Sequence, residues 1–152
     1  MTASNPPSCP PEANPMPVNT QLRVVLIDDD PRLLQATARL IGAWGYRCET
    51  FIEGRTALVA MAQDPPALLL VDIYMPDLDG FEVIARMRRT APGTRIIAIS
   101  GDIVRGHPTN ALAVSEQLGA DATIQKPFRP EQLRALLGHW CSAQDDAAAG
   151  AA

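Results

Sequence analysis

Short apolar segments alternate with amphipathic segments along most of the chain. The apolar runs have the length of buried strands, and the segments between them repeat apolar residues at helical spacing. This pattern predicts five strands, at residues 22–28, 46–51, 67–71, 95–99 and 122–125. It predicts five helices after them, at residues 31–44, 55–62, 80–89, 110–118 and 131–137, the last of which reaches at most residue 140.

The regular alternation of strand and helix indicates an α/β fold. Strands that are apolar throughout are buried on both faces, so the helices are expected to cover both sides of a parallel sheet. We expect one doubly wound, five-stranded domain over residues 21–141. Residues 1–20 hold six prolines and few large apolar residues, which predicts a disordered leader. Residues 142–152 are expected to form a flexible tail.

Composition narrows the class of protein. Of the 152 residues, 47% are hydrophobic and 20% are charged, which is ordinary for a globular domain and excludes a chain that is disordered throughout. A formal net charge of −4 argues against a nucleic-acid partner, and no apolar run is long enough to span a membrane. Cys9, Cys48 and Cys141 show no C-x-x-C spacing, so we expect no zinc site and a reducing, cytoplasmic location.

Polar side chains stand at the carboxyl ends of four predicted strands. The first strand ends in Asp28-Asp29-Asp30, the third in Asp72, the fourth in Ser100 and the fifth in Lys126. The carboxyl ends of parallel strands share one edge of the sheet, which is where open α/β proteins bind ligands. Lys126 is also the single lysine among 13 basic residues. The sequence therefore gathers carboxylates, a hydroxyl and an ammonium at one place.

This set of groups predicts phosphoryl chemistry. Clustered carboxylates repel one another unless a cation neutralises them, and Mg²⁺ prefers oxygen ligands together with a phosphate. Asp28, Asp29 and Asp72 would supply the protein oxygens for Mg²⁺. Ser100 and Lys126 would receive an anion beside it, with Asp72 as the nucleophile of a phosphoryl transfer.

Each group also has a simpler structural explanation. An acidic run such as Asp28–Asp30 is often solvated or caps the next helix, and Asp79 is placed to cap the third helix. Ser100-Gly101 reads equally as a turn. These explanations do not account for four strands that bring polar groups to the same edge.

Four motifs, at residues 24–31, 71–80, 97–101 and 119–128, resemble the receiver domain of two-component response regulators. The resemblance covers about residues 22–141 and rests on the order of the motifs along the chain. It implies a flavodoxin-like sheet with strand order 2-1-3-4-5.

The resemblance also implies a role for each site residue. Asp28 and Asp29 match the acidic pair that holds Mg²⁺, and Asp72 matches the aspartate that accepts phosphate from a kinase histidine. The backbone carbonyl of Tyr74 matches a further metal ligand, whereas Ser100 and Lys126 match the residues that contact the phosphoryl group. Lys126-Pro127 matches a cis peptide.

The chain departs from the family pattern at a position that is often aromatic and in the length of the segment between Ser100 and Lys126. The family often has an aromatic residue three positions before the lysine, where this chain has Thr123. Residues 103–109 are expected to form an extra loop.

We expect a stand-alone regulator that receives phosphate from a sensor histidine kinase or a histidine phosphotransfer protein. It would act through an unidentified downstream protein, without nucleic acid or membrane.

Two alternatives remain open on the sequence alone. The first is a pseudo-receiver that binds a partner without being phosphorylated. The second is a haloacid-dehalogenase-like phosphatase with Asp28 as nucleophile and Asp30 as acid and base. Pro31-Arg32 and the absence of an acidic pair after Lys126 disfavour this enzyme.

Overall fold

A computed structural model of the protein describes residues 22–149, except 102, 105–106 and 109–110. Its strands are β1 (Arg23–Ile27), β2 (Arg47–Phe51), β3 (Leu68–Asp72), β4 (Arg95–Gly101), β5 (Ile103–Val104), β6 (His107–Pro108) and β7 (Ala122–Lys126). Its helices are α1 (Pro31–Ala43), α2 (Gly54–Gln63), α3 (Gly80–Thr90), α4 (Ala111–Leu118) and α5 (Pro130–Ala149).

Five of these strands form one parallel sheet in the order β2-β1-β3-β4-β7. With β7 as the fifth strand of this sheet, the predicted order 2-1-3-4-5 is confirmed. The doubly wound α/β class is confirmed as well. Strands β1, β3 and β4 are buried almost throughout and β2 is half-exposed, because β2 lies at an edge.

The sheet has a hydrophobic core on each face, and alternate residues of each strand point into different cores. Val25, Ile27 and Leu69 belong to the core covered by α2, α3 and α4. Val24, Leu26 and Leu70 belong to the core covered by α1 and α5. Apolar residues at consecutive strand positions are therefore explained by two buried faces.

Two segments differ from the sequence-based expectation. Residues 103–109 were expected as a loop, but β5 and β6 pair in antiparallel fashion, with Ile103 opposite Pro108. Helix α5 continues to Ala149, beyond the predicted limit at residue 140, because its alanine-rich end favours helix. The predicted leader, residues 1–20, lies outside the described residues. Within residues 22–149 as described, no helix is long and apolar enough to cross a membrane.

Candidate functional site

The strand ends deliver the predicted polar groups to one edge of the sheet. Asp28 directly follows β1, Asp72 is the last residue of β3, and Lys126 is the last residue of β7. Ser100 lies near the end of β4, next to Ile99, which is the residue opposite Asp72 in the β3–β4 register. Parallel pairing of β1, β3, β4 and β7 thus fixes where these side chains begin.

The Lys126 ammonium bridges two buried carboxylates. Its Nζ donates to Asp28 Oδ2 at 2.8 Å and to Asp72 Oδ2 at 3.2 Å. Asp28 is 2% exposed and Asp72 is 4% exposed, so both depend on protein partners rather than on water. The single lysine of the chain therefore offsets part of the negative charge at the centre of the site.

The turn from β1 into α1 holds Asp28 in place. The backbone N–H of Asp30 donates to Asp28 Oδ1 at 2.9 Å, so both oxygens of Asp28 accept hydrogen bonds. The Asp30 side chain faces the other way and caps α1, accepting from the backbone N–H of Arg32 at 3.0 Å. Within the acidic run, Asp28 therefore belongs to the site and Asp30 caps the helix.

The third carboxylate, Asp29, is exposed and completes an oxygen cluster. One carboxylate oxygen from each of Asp28, Asp29 and Asp72 lies within 4.8 Å of the other two. This donor set, two buried carboxylates and one open to solvent, suits a hard divalent cation that keeps some of its water. The residues present therefore fit Mg²⁺, as the sequence predicted.

The electrostatic balance of the site is uneven without a cation. The pKa of Asp72 is raised to about 6, mainly by burial and also by the neighbouring Asp28 carboxylate, against the lowering effect of Lys126. Burial alone would lower the pKa of Lys126, but its hydrogen bond to Asp28 and the charges of Asp72 and Asp28 raise it. One ammonium is thus too little positive charge for the carboxylates around it.

The remaining predicted groups surround Asp72. The backbone N–H of Tyr74 donates to Asp72 Oδ1 at 3.3 Å, while the Tyr74 side chain is exposed. Ser100 is buried, and its Oγ lies 3.5 Å from the Gly101 carbonyl oxygen. The Lys126–Pro127 peptide is cis, as the resemblance implied.

A family model described as the response regulator receiver domain matches residues 24–138. The chain belongs to this family. TcrA of Mycobacterium tuberculosis, named a transcriptional regulatory protein, is 31% identical over 116 residues, which are 76% of this chain and 44% of TcrA. The response regulator MprA of Mycobacterium ulcerans is 33% identical over 136 residues, 84% of this chain and 55% of MprA. The chain therefore spans about half the length of these curated relatives.

The receiver fold is also seen in a solved relative. The CheY-like receiver domain from Methanospirillum hungatei superposes with a TM-score of 0.75 at 26% identity, covering 82% of this chain and 97% of that one. The resemblance that the four motifs carried is thereby confirmed.

Gly80 lets α3 of this receiver domain approach the end of β3. Its N–H donates to the Ile73 carbonyl at 2.9 Å, and an added Cβ would lie 2.7 Å from Ile73 Cα and closer still to the Asp72 carbonyl. The neighbouring Asp79 caps α3 by accepting from the Glu82 N–H at 3.0 Å, which confirms the predicted cap. The backbone after Asp72 is thus fixed by tight packing.

The sequence did not reveal a second charged centre near the opposite ends of the strands. Arg88 of α3 donates to Asp121 Oδ2 at 2.5 Å, to the Gly119 carbonyl at 2.6 Å and to the Thr94 carbonyl at 2.9 Å. Asp121 also accepts from the N–H of Ile96. Gly119-Ala120-Asp121 was noticed as a motif, but no spacing in the sequence links it to Arg88.

Proposed function

We propose that this receiver domain accepts a phosphoryl group on Asp72, with Mg²⁺, from the phosphohistidine of a sensor histidine kinase or a histidine phosphotransfer protein. The observation that carries the proposal is the placement of Lys126 Nζ between the buried carboxylates of Asp28 and Asp72. Such a site attracts a cation and an anion together, which a purely structural ion pair does not require.

The transfer replaces one bond to phosphorus by another. A carboxylate oxygen of Asp72 attacks phosphorus and forms a P–O bond, while the P–N bond to the donor histidine breaks. The histidine nitrogen keeps the electron pair and takes a proton from solvent. The product is an acyl phosphate on Asp72 and a neutral histidine. Positioning and charge neutralisation supply most of the catalysis in such reactions.

The residues around Asp72 have distinct roles in this proposal. Asp28, Asp29, Asp72 and the Tyr74 carbonyl would hold Mg²⁺, which offsets the negative charge of the carboxylates and the phosphoryl oxygens. Lys126 keeps the Asp72 carboxylate oriented and pairs with a phosphoryl oxygen after transfer. The Ser100 hydroxyl donates to another of these oxygens. Burial of Asp28 and Asp72 limits access of water to the reacting carboxylate.

The test is the intact mass of the protein after incubation with acetyl phosphate and Mg²⁺. We expect a gain of one phosphoryl group in the wild type and none in Asp72→Asn. Asp28→Asn is the informative companion, because a phosphatase that uses Asp28 as nucleophile would lose its phosphoenzyme in that variant alone. Circular dichroism verifies the fold of each variant.

Two other results would contradict the proposal. A mass gain in both the wild type and Asp72→Asn would place the acceptor elsewhere. No gain in the folded wild type, from acetyl phosphate or from a panel of purified histidine kinases, would favour the pseudo-receiver.

The wider setting is also a proposal. A cytoplasmic location suits a histidine-kinase substrate whose Cys48 is a free thiol. We also propose that the protein acts as a stand-alone regulator, without nucleic acid. This part of the proposal concerns the regions that the longer relatives have and that this chain does not match. It is tested by the mass of the native protein in cell extracts and by a DNA-binding assay on it.

A further inference from the structure

A groove between α3 and α4 lies beside the loop that follows Asp72, and the site chemistry does not use it. Its volume is about 430 Å³. We call its apolar lining residues, Leu78, Phe81, Ala85 and Leu118, the floor of the groove, and its acidic lining residues, Asp77, Asp79 and Glu82, the rim. The groove is therefore a surface of defined chemistry on the helical face of the domain.

The apolar part of the groove continues along α4. Leu118 is 36% exposed and Val114, one helical turn earlier, is 38% exposed. Residues four positions apart lie on the same face of a helix, so Val114 and Leu118 extend the apolar floor past the groove itself. Burying such a strip is favourable only if another apolar surface covers it.

The charges of the groove specify what covers it. Asp77, Asp79 and Glu82 contribute three carboxylates, and there is no Arg or Lys among the described residues that line the groove. Glu82 pairs with Arg86 at 2.8 Å, but both side chains are nearly half exposed, so this pair opposes a competing cation only weakly. The complementary surface is thus apolar along one stripe and basic beside it.

We infer that the α3–α4 groove is a docking surface for a basic amphipathic helix of a partner protein. Two packed helices present a groove in which a third helix lies with apolar anchors at every third or fourth position. Arginine or lysine side chains flanking these anchors would pair with the acidic rim. Binding itself does not require the proposed phosphorylation.

The groove has a direct structural connection to Asp72. Asp77, Leu78 and Asp79 belong to the loop that leaves β3 after Asp72, and Gly80 packs this loop against the Asp72 backbone. A change at Asp72 therefore reaches one wall of the groove through a single close contact. We expect phosphorylation to alter the affinity for the partner helix, which is the one part of this inference that rests on the proposed function.

The experiment uses two synthetic helical peptides with the full chain. One carries leucines on one face and arginines on the other, and its copy has glutamate in place of every arginine. We expect fluorescence anisotropy to show binding of the arginine peptide alone, weakened by salt. Amide chemical shifts should change at the groove residues of α3 and α4.

Matched variants locate the contact. Leu118→Ser should weaken binding about fivefold because it removes one apolar anchor. Glu82→Gln should weaken it about threefold because it removes one rim charge. Val59→Ser, an exposed apolar residue on α2, and Glu131→Gln, an exposed acid on α5, should leave it unchanged.

Several results would overturn the inference. Equal binding of the two peptides, no binding of either, or shifts confined to α5 and β7 would each do so. A dimer of the chain that Leu118→Ser dissociates would assign the groove to a second copy instead. If the arginine peptide binds the groove but its affinity is the same after phosphorylation verified by mass, the surface stands and the coupling to Asp72 is wrong. Absence of phosphorylation under the same conditions would contradict the proposed function alone.

Discussion

At the scale of single residues, the site carries more negative charge than its own positive charge can neutralise. Three carboxylates share one ammonium, and two of those carboxylates are buried. A folded protein normally avoids such an imbalance, since a buried charge is costly without adequate partners. The imbalance is useful where a cation is to be bound, because the cation removes the excess negative charge that would otherwise repel a phosphoryl group.

The raised pKa of Asp72 has a consequence for stability in EDTA. Its pKa is about 6 in the folded protein against 3.8 ordinarily, so the folded state binds more protons between these values. The free energy of unfolding therefore falls as pH rises through that window. We expect Asp72→Asn to raise it by about 1–3 kcal/mol at pH 7.5, and to have little effect near pH 4.

Urea unfolding across this pH range checks the prediction. Asp29→Asn is the control, because Asp29 is exposed and its loss should change stability little at either pH. A destabilised Asp72→Asn at pH 7.5 would show that Lys126 binds the Asp72 carboxylate more strongly than burial opposes it.

Tyr74 leads to a prediction about the lifetime of the phosphorylated state. It is exposed two residues after Asp72, and its N–H donates to Asp72 Oδ1. We infer that its ring obstructs the approach of water to a phosphoryl group on Asp72. We expect Tyr74→Asn to hydrolyse its phosphoryl group about three- to tenfold faster, which corresponds to about 0.7–1.4 kcal/mol in the barrier. Loss of label from the phosphorylated protein measures this rate, and Tyr74→Phe should behave as the wild type. An unchanged rate in Tyr74→Asn would exclude a shielding role for the ring.

The sequence predicted which residues meet in the site, but not how they bond. Asp28, Asp29, Asp72, Ser100 and Lys126 stand at strand ends, and strand ends can be read from apolar runs. Asp28 accepts from the Asp30 N–H, while the Asp30 side chain caps α1. This difference depends on the geometry of the turn, which a run of three aspartates in the sequence does not reveal. The functions of these five residues and of Tyr74 stay predictions.

At the scale of elements, the sheet positions the site while a separate contact holds α4. Arg88 reaches from α3 to the Gly119 carbonyl just after α4 and to Asp121 just before β7. Helix α4 also forms one wall of the α3–α4 groove, so its attachment bears on partner binding. Long-range contacts of this kind, 31 and 33 residues apart, leave no periodic trace in a sequence.

Gly119 offers a test of this attachment. It has φ +116°, and an added Cβ would stand 2.5 Å from Arg88 Cγ. We expect Gly119→Ala to lower the free energy of unfolding by about 1–3 kcal/mol, through backbone strain and displacement of Arg88. Gly42→Ala in α1, where nothing lies within 4 Å of the added Cβ, should be neutral or stabilising by up to about 1 kcal/mol.

A double-mutant cycle separates the two causes, again by urea unfolding. In an Arg88→Ala background, Gly119→Ala should retain only the cost of the backbone conformation and be less destabilising. Equal costs in both backgrounds would show that displacement of Arg88 contributes nothing.

At the scale of the whole molecule, the sequence predicted the architecture well because two buried faces force apolar strands and amphipathic helices to alternate. It was less informative where burial is weak. Ile103–Val104 and His107–Pro108 pair as β5 and β6, and α5 extends to Ala149. Both parts of the chain lack the apolar periodicity that defined the other elements. The order of the strands came from the family resemblance, since alternation alone does not determine it.

Mg²⁺ is expected to stabilise the full chain against unfolding. A ligand that binds only the folded state stabilises it by about 2.7 kcal/mol at 100 times its dissociation constant. We expect Mg²⁺ to raise the Tm of the wild type by about 5–10 °C under such saturation, and to raise that of Asp72→Asn much less.

In EDTA, Asp72→Asn is expected to be more stable than the wild type. Adding Mg²⁺ should therefore reduce the difference between the two melting temperatures or reverse its sign. Differential scanning calorimetry of both proteins, with Ca²⁺ and added NaCl as controls for ion specificity and ionic strength, measures the effect. Equal Mg²⁺ increments in the two proteins would mean that the cation binds outside the carboxylate cluster. A reversal would show that the wild-type site is maintained at the expense of metal-free stability because its carboxylates are arranged for a bound cation.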